Sequence, residues 1–178
     1  MKNKRVSKPA FTLIETIIAI TLITVVMTAV TGLILTTLLA NERNTHTLQA
    51  SFLAQEGLEA MRYMRDSNWL QNYSWDEGGD LWGQDFHVSS TNPSITLYLN
   101  NKSCVEPSPC FALSTDPAEG IITLDNGFEF NRTLTIDGVL DVVNSPIQDA
   151  VMVTAEVSWI ERGETRSVEL STTLTDWK

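Results

Sequence analysis

Apolar residues follow three successive rhythms along this chain. From Phe11 to Ala40 they run almost without a break, and Glu15 is the one charged residue of the stretch. As a helix rising 1.5 Å per residue, the uncharged segment from Thr16 to Ala40 spans about 37 Å, enough to cross a hydrocarbon layer of about 30 Å. From Asn41 to about Asn68 the apolar positions thin out. Ala50, Ala54, Gly57, Leu58, Met61 and Met64, with Arg65, mark a narrow stripe at helical spacing, and Leu48 with Phe52 forms a further pair. No proline interrupts Phe11 to Asn92, so one helix is predicted from about Thr12 to Ser67, apolar all round at first and amphipathic after.

Beyond Trp69 the period changes to two. Ile95–Leu99, Ile121–Leu124, Phe128–Ile136, Val151–Ile160 and Arg166–Leu174 read as strands, with turns at Asp116-Pro117, Asp125-Asn126-Gly127, Asp137-Gly138 and Arg162-Gly163. Val151, Val153, Ala155, Val157 and Trp159 share one face by strict alternation, and Val168, Leu170 and Leu174 answer them across the turn. The dry face of this hairpin needs a cover, and the helix stripe between Leu48 and Met64 is the apolar surface available. The predicted fold is α+β: a long N-terminal helix, membrane-spanning in its first half, packed against a C-terminal antiparallel β-sheet head.

Charge adds direction. Lys2, Lys4, Arg5 and Lys8 precede the apolar run with no acid among them, which places the N-terminus in the cytoplasm and everything after Glu42 across the membrane. The full chain has 12 basic and 22 acidic residues, a net charge of -10. Without the leader's four cations, 8 basic residues face 22 acidic ones. Such a surface suits a soluble exported domain and argues against direct DNA binding, which needs basic patches. Glu15 is the residue a plain anchor would not keep, because an acid within a membrane segment is costly and marks a function by default. Its natural partner is a cation, and cleavage after Ala10 would supply one as the new α-amine of Phe11.

Lys8-Pro9-Ala10 followed by Phe11-Thr12-Leu13-Ile14-Glu15 resembles the cleavage and methylation site of type IV prepilins and of the pseudopilins of type II secretion systems. Ala10 stands where most such sites have Gly, and Gly32 beside Thr31 lies in a span where many major pilins carry a helix-breaking Pro. The resemblance implies that a prepilin peptidase/N-methyltransferase cuts Ala10 from Phe11 and methylates the Phe11 amine. It also implies that Glu15 of one subunit meets the Phe11 amine of a neighbour during assembly, which sets subunit registration. The partners implied are other pilin subunits, the assembly platform, and the membrane through residues 11–40. The run from Leu53 to Arg62, with Arg65 to Trp69, is similar to minor pilins of the PilV-like kind. Glu56, Glu59, Arg62 and Arg65 also suit a solvated helix face with modest ion pairs. The implied organisation is a cleaved cytoplasmic leader, 1–10; a transmembrane and filament-core helix, 11–40; its amphipathic half, 41–68; and an exported head, 69–178. The protein would reside in the cytoplasmic membrane, head outside, before entering an extracellular pilus or pseudopilus.

Other chemistry is sparse. Cys104 and Cys110 enclose a short loop with two prolines, and in an oxidising compartment a local disulfide is expected. Their spacing suits neither a zinc knuckle nor a redox pair, and His46 and His87 are distant in sequence, so no metal site and no cofactor is expected. Asp76-Glu77-Gly78-Gly79-Asp80 lacks the ligand spacing of an EF-hand loop. Trp69, Tyr73, Trp75 and Trp82 in the same region read as loop packing rather than a carbohydrate platform. No nucleophile motif, phosphate loop or metalloprotease motif is present, and an enzyme is not expected. The leading reading is a structural subunit, a minor pilin. The alternatives are a pseudopilin of a type II secretion system, an unprocessed single-pass anchored binding module, and a domain released by signal peptidase.

Overall fold

The computed structural model describes residues 12–77, 85–88, 93–101, 111–140 and 146–176. It divides into two compact units, Met1–Thr45 and His46–Lys178. One helix, α1, runs from Leu13 to Leu70. In the first unit its apolar side chains are exposed from Leu13 to Leu39. The threonines of this stretch do not carry idle hydroxyls. Thr21, Thr24, Thr28, Thr31, Thr36 and Thr37 each donate to a carbonyl three or four residues back, at 2.8 or 2.9 Å. With hydroxyls satisfied inside the helix, a threonine-rich segment becomes compatible with lipid.

In the second unit, α1 lies on a six-stranded, wholly antiparallel sheet. The strands are β1 Ser94–Asn101, β2 Phe111–Ser114, β3 Ile121–Thr123, β4 Glu129–Leu140, β5 Pro146–Glu161 and β6 Glu164–Thr175, ordered β2-β1-β4-β5-β6 with β3 also paired to β4. β4 is shared: its first residues pair with β3, and Thr133 to Asp137 pair with β1. A single-turn 3-10 helix, Pro117–Gly120, connects β2 to β3, its start capped by the Asp116 side chain accepting from Ala118 N–H. The β5–β6 register runs from Ala150↔Thr175 to Glu161↔Glu164 without slip. Arg162 and Gly163 close it with φ of 54° and 84°, the two positive values of a type I′ turn, whose twist matches the strands.

The core follows the alternation. Val151, Val153, Ala155, Val157 and Trp159 from β5 face Phe130, Leu134 and Ile136 from β4, and all are buried under Ala50, Ala54, Leu58, Met61 and Met64 of α1. Gly57 lies close against the sheet, since a Cβ there would lie 3.2 Å from Leu134 Cδ2 and 3.3 Å from Arg132 Cδ.

Three expectations change. Leu48 and Phe52 do not cover the sheet; they are 59% and 68% exposed. Two residues short of Ala50 and Ala54, they are rotated by roughly 200° and fall on the opposite side of the helix. Asp137-Gly138 is no turn, because β4 continues through both, Gly138 pairs with Val151, and only a bulge before Leu140 breaks the register. β2 was missing from the pattern, because its four residues Phe-Ala-Leu-Ser carry too short a run to show alternation.

The helix ends where Asn72 takes a left-handed conformation, φ 60°. Tyr73 N–H donates to Asn68 O at 3.0 Å and Asn72 N–H to Trp69 O at 3.2 Å, the paired bonds of a Schellman motif, with Asn in the place glycine more often fills.

Candidate functional site

Ala10, Phe11, Cys104 and Cys110, with the whole leader, lie outside the described residues. Glu15 is described, and its position is informative. α1 begins at Leu13, Thr12 O accepts from the N–H groups of Glu15 at 3.1 Å and Thr16 at 3.2 Å, and Glu15 is the acid of the first turn. The first helical turn has unpaired N–H groups and the positive end of the helix dipole, so a carboxylate there gains about 0.3–1 kcal/mol that it would lack further along. The same position puts Glu15 four residues from Phe11, next to the end of the helix. The geometry thus reduces the cost of an acid at the head of an apolar helix and leaves a negative group within reach of cations at that end.

Beyond Glu15, α1 from Leu13 is long and apolar enough to cross a membrane, and its apolar window is wholly exposed. The large apolar side chains Leu13, Ile14, Ile17, Ile18, Leu22 and Ile23 all stand out into the surroundings. In water this would be a prohibitive apolar surface; in lipid, or against other apolar helices, it is the expected one.

Polar groups in the second unit do different work. Arg132 is fully buried on the inner face of β4. Its Nη1 donates to Glu56 Oε2 at 2.9 Å and Leu53 O at 3.1 Å, and its Nη2 to Leu99 O at 3.4 Å. Burial pushes the guanidinium below its usual range, and the Glu56 carboxylate works against that. Glu56 therefore is not simply part of a solvated face; it ties the helix to the sheet. Glu59 pairs with Arg62 three residues on, as the spacing anticipates for a surface, whereas Arg65 pairs with its neighbour Asp66, which the spacing did not indicate.

Glu161, at the end of β5, is nearly buried. Its Oε2 lies 2.8 Å from Arg166 Nε and its Oε1 3.5 Å from His46 Nδ1. His46 stacks on Phe128 with ring centroids 4.1 Å apart, and Phe128, Phe130 and Trp159 continue the aromatic row. From the last turn of α1, Asn68 donates to Trp75 O at 3.3 Å and Glu77 O at 2.6 Å; beyond the helix Asp76 accepts from Ser74 and pairs with His87, and Trp75 meets Phe86 edge-on. The described part of the aromatic loop is thus held by packing and a polar lock. Neither histidine was separable from a solvated residue in the sequence, because each partner is distant along the chain.

A groove of about 510 Å³ is lined by Ile121, Phe128, Phe130, Asn131, Trp159 and Ile160, residues of both sheet faces. No group of three or more His, Cys, Asp or Glu suited to a metal ion occurs among the described residues.

Comparison with known proteins is confined to the N-terminus. Residues 7–31 match the family described as the prokaryotic N-terminal methylation motif. The match takes in Ala10, Phe11 and Glu15 and ends at Thr31, within the apolar half of α1. No curated protein and no solved structure matches the chain.

Proposed function

We propose that this chain is a structural subunit of a type IV pilus, a minor pilin, cut between Ala10 and Phe11 by a prepilin peptidase and methylated on the new Phe11 amine. The observation that carries the reading is the N-terminal methylation motif over residues 7–31. It is supported by an exposed, membrane-length apolar helix and by an acid in that helix's first turn. The helix holds the subunit in the cytoplasmic membrane, N-terminus inside, and then enters the filament core. Glu15 draws the Phe11 amine of a neighbour and fixes their relative height. The attraction is strongest where no water competes, so it acts in the apolar interior of a filament rather than at its surface. The acidic head faces outward, stapled locally by a Cys104–Cys110 disulfide. A pseudopilin of a secretion system would be processed in the same way, and its product would remain in the envelope instead of appearing in sheared filaments.

Glu15→Val tests the role of the carboxylate. The variant is expected to reach the membrane and be cut normally, yet fall at least tenfold in sheared filaments. Incorporation equal to the parent would contradict the assignment of Glu15 to registration.

A further inference from the structure

The β3–β4 turn carries a reactive dipeptide, Asn126-Gly127. We infer that Asn126 is a site of spontaneous deamidation in the folded protein, converted through a cyclic imide to aspartate and isoaspartate.

The reaction needs the Gly127 backbone nitrogen to attack Asn126 Cγ. Three features of the turn favour it. Asp125, Asn126 and Gly127 are exposed, so hydroxide and water reach them. Gly127 has φ +79° and open space where a Cβ would lie, so nothing shields its nitrogen on that side. Phe128 N–H donates to Asn126 Oδ1 at 3.0 Å. That donor sits on the oxygen that becomes negative when Cγ turns tetrahedral, which is the arrangement that stabilises an oxyanion. A side chain beyond glycine at 127 would crowd the attack; here there is none.

One contact opposes the reaction. Gly127 N–H donates to Leu124 O at 2.8 Å, and it must let go before the nitrogen is deprotonated. A single exposed hydrogen bond at a turn tip opens readily, and its net value amounts to a factor of about five in rate.

The balance is simple. Hydroxide takes the Gly127 amide proton, nitrogen bonds to Cγ, and ammonia leaves as the five-membered imide closes. Water then opens the ring at Cγ, giving aspartate, or at the main-chain carbonyl, giving isoaspartate. One water is consumed and one ammonia released. Isoaspartate inserts an extra backbone atom into a turn closed by Leu124 N–H to Phe128 O at 2.9 Å, and it adds a carboxylate between Asp125 and Glu129. β3, only Ile121–Thr123, depends on that closure for its pairing with β4. The turn therefore ages in a way that loosens this corner of the sheet.

The test incubates the purified full-length protein in detergent, in mildly alkaline buffer at physiological temperature, beside an identical sample in urea. Peptides spanning residue 126 are followed by mass, and isoaspartate by methylation with an isoaspartate-specific carboxyl methyltransferase. The native sample is expected to gain one mass unit in that peptide, with isoaspartate present, at a rate within about tenfold of the urea sample. Asn126→Gln keeps the amide but needs a larger ring, and its native sample should show no gain. A native rate more than about tenfold below that in urea, or a gain that persists in Asn126→Gln, overturns the inference.

Discussion

Arg132 shows how one residue can bind two elements without leaving a signature in the sequence. In Phe130-Asn131-Arg132-Thr133-Leu134 it occupies an inward position of β4, where a cation reads as an interruption of the apolar face; its carboxylate partner is on the helix, and two further acceptors are the carbonyls of Leu53 and Leu99. Nothing local announces those contacts. Glu56→Gln would leave the guanidinium buried with a weaker partner. The expected loss is about 1–2 kcal/mol, below the 3–5 kcal/mol of a fully buried pair, because Glu56 is partly exposed and screened. A shift of the denaturation midpoint in detergent reads it, and an unchanged midpoint would show that the two carbonyls suffice. On the other sheet face, Glu156 lies directly opposite Glu169, both exposed. Like charges at that distance repel. Glu169→Lys should raise stability by about 0.5 kcal/mol at low salt, with the gain shrinking as salt is added.

At the scale of elements, α1 and the β5–β6 hairpin were legible because each repeats a long, strong period. Sixteen residues of β5 and twelve of β6 leave little freedom in register once Arg162-Gly163 sets the turn. The seam between helix and sheet was legible in part. Ala50, Ala54, Gly57, Met61 and Met64 advance by alternating steps of four and three and stay on one side, whereas Leu48 and Phe52 belong to the other; hydrophobicity alone could not divide them. Gly57 sits where helix and sheet pack closely. Gly57→Ala gains about 1 kcal/mol of helix propensity and gives part of it back in pushing Leu134 and Arg132 aside by a few tenths of an ångström. Gly57→Val cannot be absorbed in that way and should cost about 1–3 kcal/mol, seen as a lower midpoint with the helix content of the native protein retained. The short strand β2 and the β4 bulge escaped the sequence because their pairing comes from neighbours: Gly138 N–H is held by Pro93 O at 2.9 Å, across the sheet.

For the whole molecule, composition conceals its two parts, since an apolar helix and an acidic head average to an ordinary hydropathy. Their division at Thr45 and His46 separates a stretch whose apolar side chains face outward from one whose apolar side chains form a core. Of the residues the sequence marks for processing and assembly, Glu15 has a place in the structure, in the first turn of α1; the meaning of that place comes from the motif across residues 7–31. Cleavage is the event on which the proposed function depends, because it alone would create the Phe11 amine that the proposal assigns to Glu15. The most direct measurement is the mass of the N-terminal peptide of the protein isolated from its native membrane. A peptide beginning at Phe11 and carrying a methyl group is the predicted result. A peptide beginning at Met1 would contradict the account and leave an anchored ectodomain with an unexplained glutamate.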